Sequence, residues 1–120
     1  MPDPTRLLTL AEECERAAGP SRALNERIVV AAGWRCRRDM WWCPPGTTEW
    51  MLGFPNFTGS LDAAVSLVKK GYLWNVSSNE TAWVMPPSMA WQTTGAAATP
   101  ALAFLSAALR ALAEEASDAG

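Results

Sequence analysis

The hydrophobic pattern of this chain changes period along its length, and that change limits the folds open to it. Residues 6–17, 21–33, 60–71 and 101–116 place apolar side chains at helical spacing, while much of the rest of the middle alternates every second residue, as strands do. All seven tryptophans (Trp34, Trp41, Trp42, Trp50, Trp74, Trp83 and Trp91) fall in that middle, and the chain has no histidine. Interiors are mostly filled by Leu, Ile and Val, which carry no N–H to satisfy. Indoles gathered in one region therefore point to stacking surfaces, at a ligand pocket or a subunit interface. Without histidine, the commonest general base near neutral pH and the commonest nitrogen metal ligand are missing. Binding is favoured over catalysis.

At each end the helix signals are strong. RLLTLAEECERA (6–17) puts Leu7, Leu10, Ala11 and Cys14 on one face, with Pro4 before it and Gly19-Pro20 after. Ser21 then caps SRALNERIVVAAG (21–33), with Leu24, Ile28 and Val29 inward and Gly33 as its stop. Thr99 and Pro100 open ALAFLSAALRALAEEA (101–116), whose stripe is Leu102, Leu105, Leu109 and Leu112. Between them, WRCRR and MWWC read as short strands about a turn near Asp39, and TTEWMLGF as a weaker one. SLDAAVSLVKKG (60–71) reads as a helix capped by Ser60, with Lys69 and Lys70 at its C-terminal end. YLWNVS and TAWVMP predict a hairpin around residues 77–80, and MAWQT a further strand. The expected fold is α+β in one domain over residues 1–120, an antiparallel sheet sandwiched by helices in an α-β-α arrangement.

Composition narrows the function. The chain is 49% hydrophobic and 18% charged with net charge −2, a globular balance that argues against a duplex-nucleic-acid binder. Three cysteines, Cys14, Cys36 and Cys43, cannot all pair within one chain, and they are too few for a structural zinc site without histidine. With no nucleophile–base pair, P-loop or dinucleotide fingerprint, the chain reads as no enzyme, and it calls for no cofactor. No apolar run reaches the length of a membrane span, so a soluble, reduced, intracellular protein is expected.

GPSRALNERIVVAAG, FTGSLDAAVSLV, YLWNVS and AAATPALAFLSAALRAL resemble, in that order, the phage ABA-sandwich domain family. Residues 34–54 form a variable Trp- and Arg-rich hairpin insert, of which the stretch from Trp34 to Trp42 has no clear counterpart. The architecture is more loosely similar to phage anti-defence sponge proteins that act against Thoeris. The resemblance implies an oligomeric protein in the host bacterial cytoplasm. It would capture a nucleotide-derived immune messenger, a cyclic ADP-ribose isomer or a cyclic oligonucleotide, without cleaving it. It would act with no catalytic residue or metal.

The positions that the resemblance suggests for the ligand are Arg22, Arg27, Thr58, Ser60, Trp74, Asn75, Trp83 and Arg110. Each has an ordinary alternative. Arg110 meets a phosphate across a subunit interface, or pairs with Glu114 one turn on. Arg22 opposes the dipole of its own helix, so it serves an anion there or a carboxylate such as Asp62. Arg27 is a ligand contact or a plain surface charge. Of Trp74 and Trp83, one is expected in the core and one free to stack on a base. Asn75 points away from its neighbours, toward a ligand or a cross-strand partner. Thr58 and Ser60 sit before a helix, where capping and phosphate binding use the same groups. Arg35, Arg37 and Arg38 with the nearby indoles form a phosphate clamp, a partner-binding surface or a solvated hairpin. The rival function is a protein–protein module that inhibits a host factor through the Trp-rich surface.

Overall fold

The computed structural model describes residues 3–77 and 80–119, so the tip of the predicted hairpin at Ser78 and Asn79 lies outside the described residues. The element order is α1 (Pro4–Arg16), α2 (Arg22–Ala31), β1 (Arg35–Arg37), β2 (Trp41–Cys43), β3 (Met51–Leu52), α3 (Leu61–Val65), β4 (Leu73–Val76), β5 (Thr81–Met85), β6 (Thr93–Ala96) and α4 (Pro100–Ala119). The caps fall where the sequence places them. Ser21 Oγ accepts from the Leu24 N–H at 3.2 Å, Ser60 Oγ from Ala63 at 3.3 Å, and Thr99 Oγ1 from Leu102 at 3.2 Å. Asp3, not singled out from the sequence, caps α1 through the Thr5 and Arg6 N–H groups. Gly33, at φ 91, turns the chain out of α2.

The α+β class holds, but the strands divide between two antiparallel three-stranded sheets in place of the single expected one. The first has the order β1-β2-β3 and is the Trp- and Arg-rich insert; the second has the order β4-β5-β6. The segment that carries α3 separates them in the chain, while Pro44–Gly46 turns the first sheet between β2 and β3. Helix α4 is the hub. Every residue from Ala101 to Leu109 is buried, and the helix packs against α1, α3 and all three strands of the second sheet. Ala82 and Val84 of β5 face it, at 4% and 0% exposure.

Two predicted elements are shorter than expected or displaced. Helix α3 stops at Val65, not near residue 71, because Ser66 Oγ returns to the Ala63 carbonyl and Leu67 and Val68 bond three residues back. The predicted MAWQT strand gives way to β6. Trp91 turns edge-on to Tyr72 at 6.1 Å, and the small residues beyond it pair with β5. There Gly95 matters, since a Cβ would stand 2.4 Å from the Ala103 carbonyl oxygen and 2.3 Å from Ser106 Oγ. Bare backbone lets α4 lie that close.

Candidate functional site

The most organised polar cluster forms where α2 begins. Gly19-Pro20 turns the chain, Ser21 caps the helix, and Thr58 from the loop before α3 is buried beside it. Thr58 Oγ1 accepts the Ser21 N–H at 2.8 Å and donates to the Ser21 carbonyl at 3.2 Å. Asn25, only 4% exposed, donates from Nδ2 to Asn56 Oδ1 at 2.8 Å and accepts the Thr58 N–H at 2.8 Å. Asn56 Oδ1 also accepts the Gly59 N–H at 3.2 Å, and its carbonyl accepts that of Ser60 at 3.0 Å. These bonds clip the start of α2 to the 56–60 turn and satisfy every buried partner.

Above this clip the Arg22 guanidinium lies 5.4 Å from the centre of the Phe54 ring, which meets Trp42 edge-on at 5.5 Å. Pro20, Ser21, Arg22, Asn25, Phe54 and Asn56 line an open hollow of about 360 Å3. Its chemistry is one planar cation, one ring, carboxamides and a helix N-terminus, where the dipole favours an anion. Arg22 thus stacks on Phe54 and does not reach for Asp62.

Three suggested ligand positions, Arg22, Thr58 and Ser60, therefore meet around Asn56; the other five lie elsewhere. Arg27 makes a two-pronged pair with Glu13 at 2.7 and 2.6 Å, and that guanidinium holds the Glu13 carboxyl below its usual range. Trp74, on an edge strand, packs edge-on against Phe104 at 5.1 Å while remaining 42% exposed. Trp83 is half-buried on the opposite sheet face, in register with exposed Asn75. Neither indole is a fully buried core residue.

Arg110 pairs with Glu15, not with Glu114. Its Nη1 donates to Glu15 Oε2 and the Thr94 carbonyl, both at 2.8 Å, and to Ser106 Oγ at 3.0 Å; Nη2 donates to Glu15 Oε1 at 2.7 Å. Held by Arg110, and helped by donors from Ala96 and Ser106, the Glu15 carboxyl is pulled down to about 2. A shallow hollow of about 390 Å3 beside it includes Glu15, Trp83 and Thr94. A phosphate entering there meets a carboxylate and a guanidinium already engaged, so this arginine is a structural tie between α1 and α4.

On the first sheet, Arg35 and Arg37 share a face, as strand alternation requires, and both stack on Trp50, at 5.5 and 4.3 Å. Arg35 is further tied to the Thr47 carbonyl and to Cys43 Sγ. Trp41 and Leu52 stand opposite each other across β2 and β3, at 41% and 72% exposure. Cys36 is exposed and Cys43 buried, and neither forms a disulfide. Burial pushes the Cys14 thiol up to about 12, so it stays a protonated packing group.

Sequence reasoning missed Asn25, Phe54 and Asn56. Asn25 was detectable, since it lies three and four residues before Ile28 and Val29 and so shares their inward face. A poor helix former on that face needs a buried partner. Phe54 and Asn56 left no such signal, because a loop has no period. No protein family, curated protein or solved structure matches the chain.

Proposed function

We propose that the chain is a phage-encoded anti-defence protein of the ABA-sandwich type, acting in the host bacterial cytoplasm. It captures a nucleotide-derived immune messenger, a cyclic ADP-ribose isomer or a cyclic oligonucleotide, and keeps it intact from its receptor. The observation that carries this reading is the hollow at the start of α2, where Arg22 is stacked on Phe54 beside Asn25 and Asn56. A guanidinium plane takes a phosphate through its edge and a base on its face, and carboxamides read the base edge. The α2 N-terminus adds positive potential without a second formal charge. Sequestration requires a tight site: a dissociation constant of ~1 nM is about −12 kcal/mol. An open hollow on one chain supplies part of that, so a homo-oligomer that covers the ligand from a second copy belongs to the proposal. The exposed edge strand β4, with Leu73 and Trp74 at 41% and 42% exposure, suits such a contact.

The test is incubation with a panel of cyclic nucleotides and cyclic ADP-ribose isomers, then mass spectrometry of what the heat-denatured protein releases. One unaltered compound is expected, lost with Arg22→Ala and retained with Arg27→Ala. A cleaved product, or no compound across the panel, overturns the reading.

A second reading rests on a different observation. Met40, Trp41 and Leu52 are exposed together on the first sheet, at 51%, 41% and 72%. Beside the Arg35–Trp50–Arg37 stack they form a mixed surface of the kind that anchors protein partners. An inhibitor of a host factor would co-purify with it, ignore nucleotides in calorimetry, and lose its partner with Trp41→Ala.

A further inference from the structure

A deeper hollow lies apart from the Arg22 site, among the ends of several elements. Trp34, Pro44, Pro45, Leu67, Leu112 and Ala116 are among the apolar residues of its walls, and its volume is about 500 Å3. Small-molecule sites typically measure roughly 300–1,000 Å3 and are largely apolar and preformed. These walls are stiff. Two prolines fix one side, Trp34 is held edge-on to Phe57 at 6.1 Å, and α4 forms another.

The polar groups of the lining are accounted for. Lys69 and Glu115 pair with each other at 3.2 Å, so the cleft is electroneutral, and the Glu115 side chain is only 17% exposed. Ser66 Oγ donates to the Ala63 carbonyl and Thr47 Oγ1 to that of Pro44, so their hydroxyl protons are committed and their lone pairs accept. We propose that this cleft binds an uncharged, largely apolar small molecule carrying a hydrogen-bond donor. An anion that took the largely solvated Lys69 would leave Glu115 unpaired at 17% exposure, and a cation would have to displace Lys69 from that carboxylate. A donor-bearing neutral ligand disturbs neither, and it meets acceptor oxygens at Ser66 and Thr47.

A matched pair of fluorescent probes tests this. N-phenyl-1-naphthylamine is neutral and apolar with one N–H; 8-anilino-1-naphthalenesulfonate is the same framework bearing an anion. The neutral probe should bind saturably at one site per chain, at least tenfold more tightly than the sulfonate. Ala116→Trp should weaken it at least tenfold with unchanged circular dichroism and melting temperature. Val68→Phe fills the cleft from the opposite wall and is read instead if the first variant misfolds. Arg22→Ala should leave probe binding unchanged, which separates this site from the messenger reading. The inference fails if probe binding does not saturate, if the sulfonate binds as well or better, or if the filled cleft binds as before. It fails too if Ala116→Trp changes the oligomeric mass, which makes a second copy the occupant.

Discussion

Arg110 illustrates how a residue's identity leaves its use undecided. On a helix of alanine and leucine its charge stands out, yet four donated hydrogen bonds bind it to Glu15, Thr94 and Ser106. Hydrogen bonds to charged groups contribute about 1.5–3 kcal/mol, so Arg110→Ala should lower unfolding free energy by about 2 kcal/mol in urea titration. Arg27→Ala, removing a pair in which the arginine side chain is 53% exposed, should cost less than about 1 kcal/mol. The Glu15 pair also carries a pH signature. Its folded-state carboxyl titrates at about 2, below the ordinary 4.5, so the pair's stabilisation is complete above pH 4.5 and is lost as pH falls toward 2. Urea midpoints measured down that range should fall more steeply for the wild type than for Glu15→Gln.

Between elements, close approach and clipping matter more than propensity. Gly95→Ala would drive a methyl group into the Ala103 carbonyl and the Ala107 N–H of α4, both backbone. The helix must move off β6, and a loss of about 3 kcal/mol, the upper end for overpacking, is expected in thermal or urea unfolding. Asn25→Ala removes two of the four bonds that join the start of α2 to the 56–60 turn and leaves the Thr58 N–H without its acceptor. A cost of about 2 kcal/mol follows, and messenger binding should weaken with it because Asn56 is no longer held. Binding restored by Asn25→Asp, with stability only partly recovered, would show that the Thr58 N–H contact is what orders the hollow. Helices α1, α2 and α4 were legible because caps and an apolar stripe are local features. The end of α3 was not, since Ser66 decides it through a bond to its own backbone and Lys69 is drawn away to Glu115.

At the scale of the molecule, the two sheets differ in support. The second sheet is backed by α4, whereas the first is attached chiefly through Trp34 on Phe57, the buried Trp42, and Arg22 of α2 over Phe54. Local opening free energy follows such backing. In hydrogen-exchange mass spectrometry, amides of β1 to β3 should exchange well before those of β5 and the buried run of α4; equal protection would mean that both sheets unfold as one unit. No described helix is long and apolar enough to cross a membrane.

The α+β class, the starts of α2, α3 and α4, and the period of β1, β2, β4 and β5 followed from the sequence alone, because spacing and capping act within a few residues. So did the shared face of Arg35 and Arg37. Which sheet each strand joined, which carboxylate took Arg110, and that Arg22, Thr58 and Ser60 meet at Asn56 were decided by tertiary structure. Those contacts join positions as far as 95 residues apart, as Arg110 and Glu15 are. Only the folded chain brings such partners within the 3 Å or so over which a hydrogen bond acts.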